Sequence, residues 1–252
     1  MRLLRHVFAP AVCCAAAAMA LGCHPHIYES KPNPFTDIKV FAVAPILGVK
    51  ENQIPAGSEP LEDIFADQLA NFPKVEFVVR ASQIRKIMES LRLERLSSAE
   101  DALRVLREAK ADAIIVMEVL NVNLMPNSMR ATVALQMFTA RKFDPRSIDW
   151  KAMETSPKPF ALPEEYGRRP ITGFQKVFDT TNMDTQERIK YFASAHDTSK
   201  RGLGDEIFSK VFVDFFRFVS YELVLEIWER EIRRLERLSA PAAPAEEEGK
   251  PK

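Results

Sequence analysis

The chain has 252 residues, with 35 basic and 35 acidic side chains, three cysteines and only eight glycines. A balanced charge excludes the concentrated basic patch that nucleic-acid binding requires, and so few glycines argue against Gly-rich phosphate loops and against an all-β domain full of tight turns. The length suits one domain with a long insertion or with tails.

The first residues carry Arg2 and Arg5 and no acid before Glu29, followed by an uncharged apolar run from Val7 to Leu21. That run is too short and too alanine-rich for a membrane span and has the length of a signal-peptide core. Ala20-Leu-Gly-Cys23 follows and resembles a lipobox, in which small residues precede a cysteine that is acylated before cleavage on its amino side. The resemblance implies cleavage after Gly22 and a lipid on Cys23. The family usually has leucine three residues before the cysteine, where this chain has Ala20, so an ordinary signal peptide cleaved near Gly22 stays open. His24 after the cysteine, with no aspartate there, implies by the sorting rule of enteric bacteria the outer membrane, facing the periplasm. Cys13 and Cys14 read as small hydrophobes within the signal. Loss of residues 1–22 leaves 33 basic against 35 acidic side chains and no cysteine but Cys23, so the fold has no internal disulfide to lean on.

Residues 23–37, polar and rich in proline, read as a tether. A single α/β domain is expected over 38–238. Ile38 to Ala44 reads as a buried strand halted by Pro45. Leu61, Ile64, Phe65, Leu69 and Phe72 recur at helical spacing between Pro60 and Pro73. Val75–Val79 is a second strand, and Ile84, Ile87, Met88 and Leu91 mark a second helix. Ser98 with Asp101 has capping-box spacing for a third, carrying Leu103, Leu106 and Ala109. Ala113–Met117 is a fully buried strand that continues into Leu120, Val122 and Leu124, alternating with Asn121 and Asn123. After a turn at Met125–Ser128, Val133, Leu135 and Met137 mark a return strand. The order β-α-β-α-α-β-β predicts a mixed sheet sandwiched by helices.

From Phe143 to about Lys200, prolines at 145, 157, 159, 163 and 170 punctuate a charged stretch, read as an excursion with one short helix near 184–195. Leu203–Leu238 then reads as a long amphipathic helix with Phe208, Phe212, Phe215, Val219, Leu223 and Ile227 on one stripe. Asp214, Arg217, Glu222 and Glu226 forbid a membrane span. Trp228, Ile232, Leu235 and Leu238 extend the stripe into charged turns and are the candidate partner-binding residues. Residues 239–252, built from Pro, Ala and Glu, are expected to be disordered.

Val40-Phe-Ala-Val-Ala-Pro45, Phe77-Val-Val-Arg80 and Ala109-Lys-Ala-Asp-Ala-Ile-Ile-Val116 resemble the periplasmic α/β domain shared by the curli secretion lipoprotein CsgG, the amino-terminal domain of TolB and related small outer-membrane lipoproteins. The likeness covers 38–142 and the last helix. It departs at Lys110 and Met117, where that family often has glycine, and at the 143–200 insertion. The insertion has no lipid-facing alternation, so pore formation does not carry over. The resemblance implies a non-enzymatic assembly, secretion or adaptor domain, with envelope proteins or a second copy as partners. A ligand-binding accessory lipoprotein of a lipid or polysaccharide export system is the alternative.

No constellation in the sequence points to catalysis, a cofactor or a metal. His24 and His26 lie on the tether and read as incidental rather than as metal ligands. Ser194, His196 and Asp197 are not spaced as a nucleophilic triad, and they suit the polar end of a helix. Glu118 reads as the point where its strand begins to alternate.

Overall fold

The computed structural model describes residues 32–49, 58–139, 169–195 and 204–239. Five strands form one sheet: β1 (Val40–Val43), β2 (Phe77–Val79), β3 (Ala113–Asn123), β4 (Arg130–Thr139) and β5 (Thr172–Asp179). They lie in the order β2-β1-β3-β4-β5. β2 and β3 flank β1 in parallel, and β4 and β5 add on antiparallel, so the sheet is mixed. Six helices pack on it: α1 (Leu61–Ala70), α2 (Ala81–Ser90), α3 (Ala99–Glu108), α4 (Met183–Ala195), α5 (Ile207–Lys210) and α6 (Phe212–Ser239).

Local chemistry accounts for the helix ends. α1 begins after Pro60, where a proline costs no intrahelical bond, and carries Glu62 and Asp63 in the first turn beside the partial positive charge of the unpaired N–H groups. At α3, Ser98 Oγ accepts from the Asp101 N–H and Asp101 Oδ2 accepts from the Ser98 N–H, each at 3.1 Å, which is the reciprocal cap its spacing predicted. α3 stops where Lys110 adopts φ 52°, a left-handed position that favours glycine.

The two faces of the sheet hold separate cores. On one, Phe41, Val43, Ile115, Met117, Val133 and Leu135 pack beneath α1, α4, α5 and α6. On the other, Ala42, Ala44, Ile114 and Phe138 pack beneath α2 and α3.

Four expectations shift. The tether is shorter than read: Asn33 donates through Nδ2 to the Ile38 carbonyl at 2.7 Å, and Phe35 is buried 5.8 Å from the ring of Trp228. Burial of that phenyl ring binds the segment to the domain. The alternation late in β3 is displaced by a bulge between Val119 and Asn121, which leaves Leu120 47 % exposed. The bulge sits where Leu47 runs parallel to β3, bridged to Glu118, with Gly48 next to it. A Cβ on Gly48 would lie 2.4 Å from the Val119 carbonyl oxygen, and its φ of 80° also favours glycine.

The third shift lies inside the stretch read as an excursion. Residues 172–179 form β5, in register with β4 from Met137↔Thr172 to Arg130↔Asp179. The short helix expected there is present as α4. Finally, the single long helix expected from 203 is interrupted at Val211, whose extended backbone (φ −116°, ψ 117°) separates α5 from α6. The break sets Phe208 edge-on to Phe192, 5.2 Å away.

Candidate interaction surface

α6 has 28 residues and is about 42 Å long at 1.5 Å per residue. Among the described residues no helix is apolar enough to cross a membrane. Through Trp228 its inner side is core: Phe215, Phe218, Val219, Leu223, Ile227 and Trp228 are all buried. Trp228 lies among Phe35, Phe41 and Phe72, with ring centres 5.6–5.8 Å apart. This corrects its assignment as a partner-contact residue, because an indole with no exposed surface touches only its own domain. Ile232, one turn on, is half-buried, and Leu235 is 41 % exposed. The apolar stripe therefore runs out of its own core between 228 and 235. The side chain of Leu238, with Gly22 and Cys23, lies outside the described residues.

α6 and β5 run side by side in opposite directions, and charged contacts mark the path. Lys176 Nζ reaches Glu222 at 3.2 Å and Glu226 at 3.5 Å, and Arg188 Nη1 reaches Glu222 at 2.7 Å. Further along, the Arg230 guanidinium sits 4.8 Å from the centre of the Phe174 ring. Burial opposes the charge on Glu226. The hydrogen bond from Arg230 and the charges of Lys176, Arg230 and Arg233 outweigh that penalty and hold its carboxyl below the usual glutamate range.

Beyond that point an open groove of about 920 Å³ separates Pro170, Ile171 and the first residues of β5 (Thr172 and Gly173) from the last turns of α6. Arg230, Arg233, Arg234 and Arg237 line it, with Glu231 and Glu236. The four arginines fall at i, i+3, i+4 and i+7, so they form one stripe on the helix, roughly opposite Ile232 and Leu235. Arg234 holds the buried Glu231 through Nε at 2.7 Å and Nη2 at 2.9 Å. Arg237 Nε donates to the Arg233 carbonyl at 3.2 Å. The spacing of the arginines was visible in the sequence. The strand they face was hidden by the proline-rich stretch before it.

A second depression, about 550 Å³, lies where β1 ends, against the end of α2; Pro45, Leu47, Met88, Leu93 and Leu96 line it together with charged residues such as Arg85, Glu89 and Arg92. Glu118 is exposed on β3, opposite Ala134, as expected from the alternation. Ser194 Oγ donates to the Tyr191 carbonyl at 2.7 Å, a contact within its own helix; His24, His26, His196 and Asp197 lie outside the described residues. Among the described residues no three His, Cys, Asp or Glu side chains gather as a metal site.

No family model and no curated protein matches this chain. Solved structures do match in fold. The hypothetical protein CT253 from Chlamydia trachomatis is 12 % identical over 76 % of this chain and 97 % of its own, with a TM-score of 0.36. The LpoB C-terminal domain from Salmonella enterica is 12 % identical over 58 % of this chain and 87 % of its own, at 0.35. Lipoprotein GNA1162 from Neisseria meningitidis is 9 % identical over 66 % and 99 %, at 0.33. These are likenesses of fold and assign no role. The resemblance to the curli lipoprotein and TolB domains has no counterpart among the matching chains.

Proposed function

We propose that this chain is an exported lipoprotein, cleaved after Gly22 and acylated on Cys23, whose α/β domain serves without catalysis as an assembly or adaptor unit at the periplasmic side of the outer membrane. The basic and apolar leader and the small residues before Cys23 support the anchor. The observation that carries the assembly role is the end of α6, where the stripe buried as far as Trp228 continues into half-buried Ile232 and exposed Leu235. An apolar side chain left in water beside a buried one gains by docking on a partner. The partner is another envelope protein or a second copy.

The test has two parts. Intact mass and membrane fractionation of the native protein should show the chain from Cys23 carrying a diacylglyceryl group, lost together with membrane attachment in Cys23→Ala. Leu235→Asp should abolish assembly, read by elution volume and by crosslinking, with an unchanged melting temperature. An unmodified soluble protein rejects the anchor, and unaltered assembly in Leu235→Asp rejects the docking surface. The ligand-binding alternative draws on the depression between Leu47 and Met88, and lipid released from the purified protein into the mass spectrum would favour it.

A further inference from the structure

The groove between β5 and the arginine stripe of α6 is a different surface from Ile232 and Leu235, and its chemistry points to a different occupant. β5 is the last strand of the sheet and pairs with β4 alone among the described residues. A terminal strand presents a row of backbone N–H and C=O groups to whatever lies beside it. Along this one, α6 supplies Arg230, Arg233, Arg234 and Arg237, against Glu231 and Glu236. Glu231 is already held by Arg234. Arg233 meets Glu226 and Glu229 at 3.4 and 3.9 Å, contacts that a better-placed carboxylate can replace.

We propose that this groove binds an extended acidic segment of a partner polypeptide, laid beside β5 as an added strand with its carboxylates on the arginines. The proposal stands apart from the docking of Leu235. Geometry favours a strand over a helix or a free anion. Because α6 runs antiparallel to β5, from Glu222 beside Lys176 to Arg230 over Phe174 and on past Thr172, a chain following β5 follows the arginines too. Alternate residues of a strand repeat at about 6.7 Å on one face. The levels of Arg230, Arg233/Arg234 and Arg237 repeat at about 5.3 Å along the helix. Three alternating acids can therefore each find a guanidinium with small side-chain adjustments, while backbone pairing with β5 sets the register. Glu226 and Glu229 lie behind Arg230 and Arg233, so discrimination against a basic segment of the same shape rests on the guanidiniums that line the groove.

The test uses the full-length protein and four fluorescent nonapeptides at low salt: alternating Glu-Val, alternating Lys-Val, and two Glu-Val peptides with alternate backbone nitrogens methylated, one on each edge. The expected result is saturable binding of the Glu-Val peptide, weakened about tenfold or more in Arg233→Glu/Arg237→Glu and by added salt, with no binding of the Lys-Val peptide. Both positions are exposed, so that variant should stay folded although Glu226 and Glu229 lose a partner at 233, and peptide binding should survive in Leu235→Asp. Methylation on the edge that faces β5 should cost as much as the charge reversal. Equal binding of the acidic and basic peptides overturns the proposal, as does indifference to the arginine variant or to methylation on either edge. The chain's own Glu246–Glu248 is the competing occupant. Binding that emerges only in Glu246→Gln/Glu247→Gln/Glu248→Gln would assign the groove to that segment and overturn the partner reading.

Discussion

The two faces of the sheet are built to different standards. One is covered by α1, α4, α5 and α6, and it holds nearly all of the aromatic rings: Phe35, Phe41, Phe72 and Trp228 on one side, Phe178, Phe192, Phe208 and Phe218 on the other, joined by Tyr221. The other is covered by α2 and α3 over β2, β1, the beginning of β3 and the end of β4, packed with Ala, Val, Leu and Ile and one phenyl ring, Phe138. Over the rest of that face Glu118, Gln136, Gln175 and Val177 are exposed. The difference teaches where the stability of this domain is concentrated. Large rings bury the most apolar area per residue and lose little side-chain freedom in doing so, so the aromatic face carries the fold and the other face can be left half open.

Substitutions can break or sharpen that contrast. The largest effect is expected at Trp228→Ala, which empties the centre of the aromatic knot and should cost about 3–5 kcal/mol in chemical denaturation. Leu106→Ala, at a fully buried position of α3 on the other face, should cost about 2–4 kcal/mol. If Leu106→Ala proves the more costly of the two, the aromatic face is not the dominant core. The smallest effect is expected at Val177→Thr, on the open part of the sheet and 47 % exposed, where the unfolding free energy should change by no more than about 0.5 kcal/mol. A larger loss there would mean that this part of the sheet is covered in the native protein, and the face would have to be described as closed.

Much of this architecture was readable before any coordinates. Helical spacing placed α1, α2 and α3, an apolar run placed β3, and Ser98 with Asp101 marked a cap that forms as written. These features are local: periodicity and capping depend on neighbours a few residues away, and the chain carries them in its order. The long stripe of α6 was equally plain, and so were the charges that keep it out of a bilayer.

What lay beyond reach was decided by contacts between distant segments. Thr172–Asp179 alternates Phe174, Lys176 and Phe178 on one face, but a lysine in the middle of an inward row reads as polar until Glu222 and Glu226 are brought beside it from α6. The bulge at Leu120 lies beside Leu47 and Gly48, which the fold brings alongside β3 from a distant segment. Trp228 could be core or contact on sequence alone, because a helix stripe does not announce where its own domain ends; Phe35, Phe41 and Phe72 settle it by enclosing the ring. The arginine stripe was likewise present in the order of residues, yet it became a groove only when β5 came to lie opposite. Sequence by itself determined α1, α2, α3 and the buried strands β1 and β3, since each depends on short-range pattern. Tertiary structure alone decided which stripes are spent on the core and which remain for a partner, since burial is a property of two surfaces and not of one.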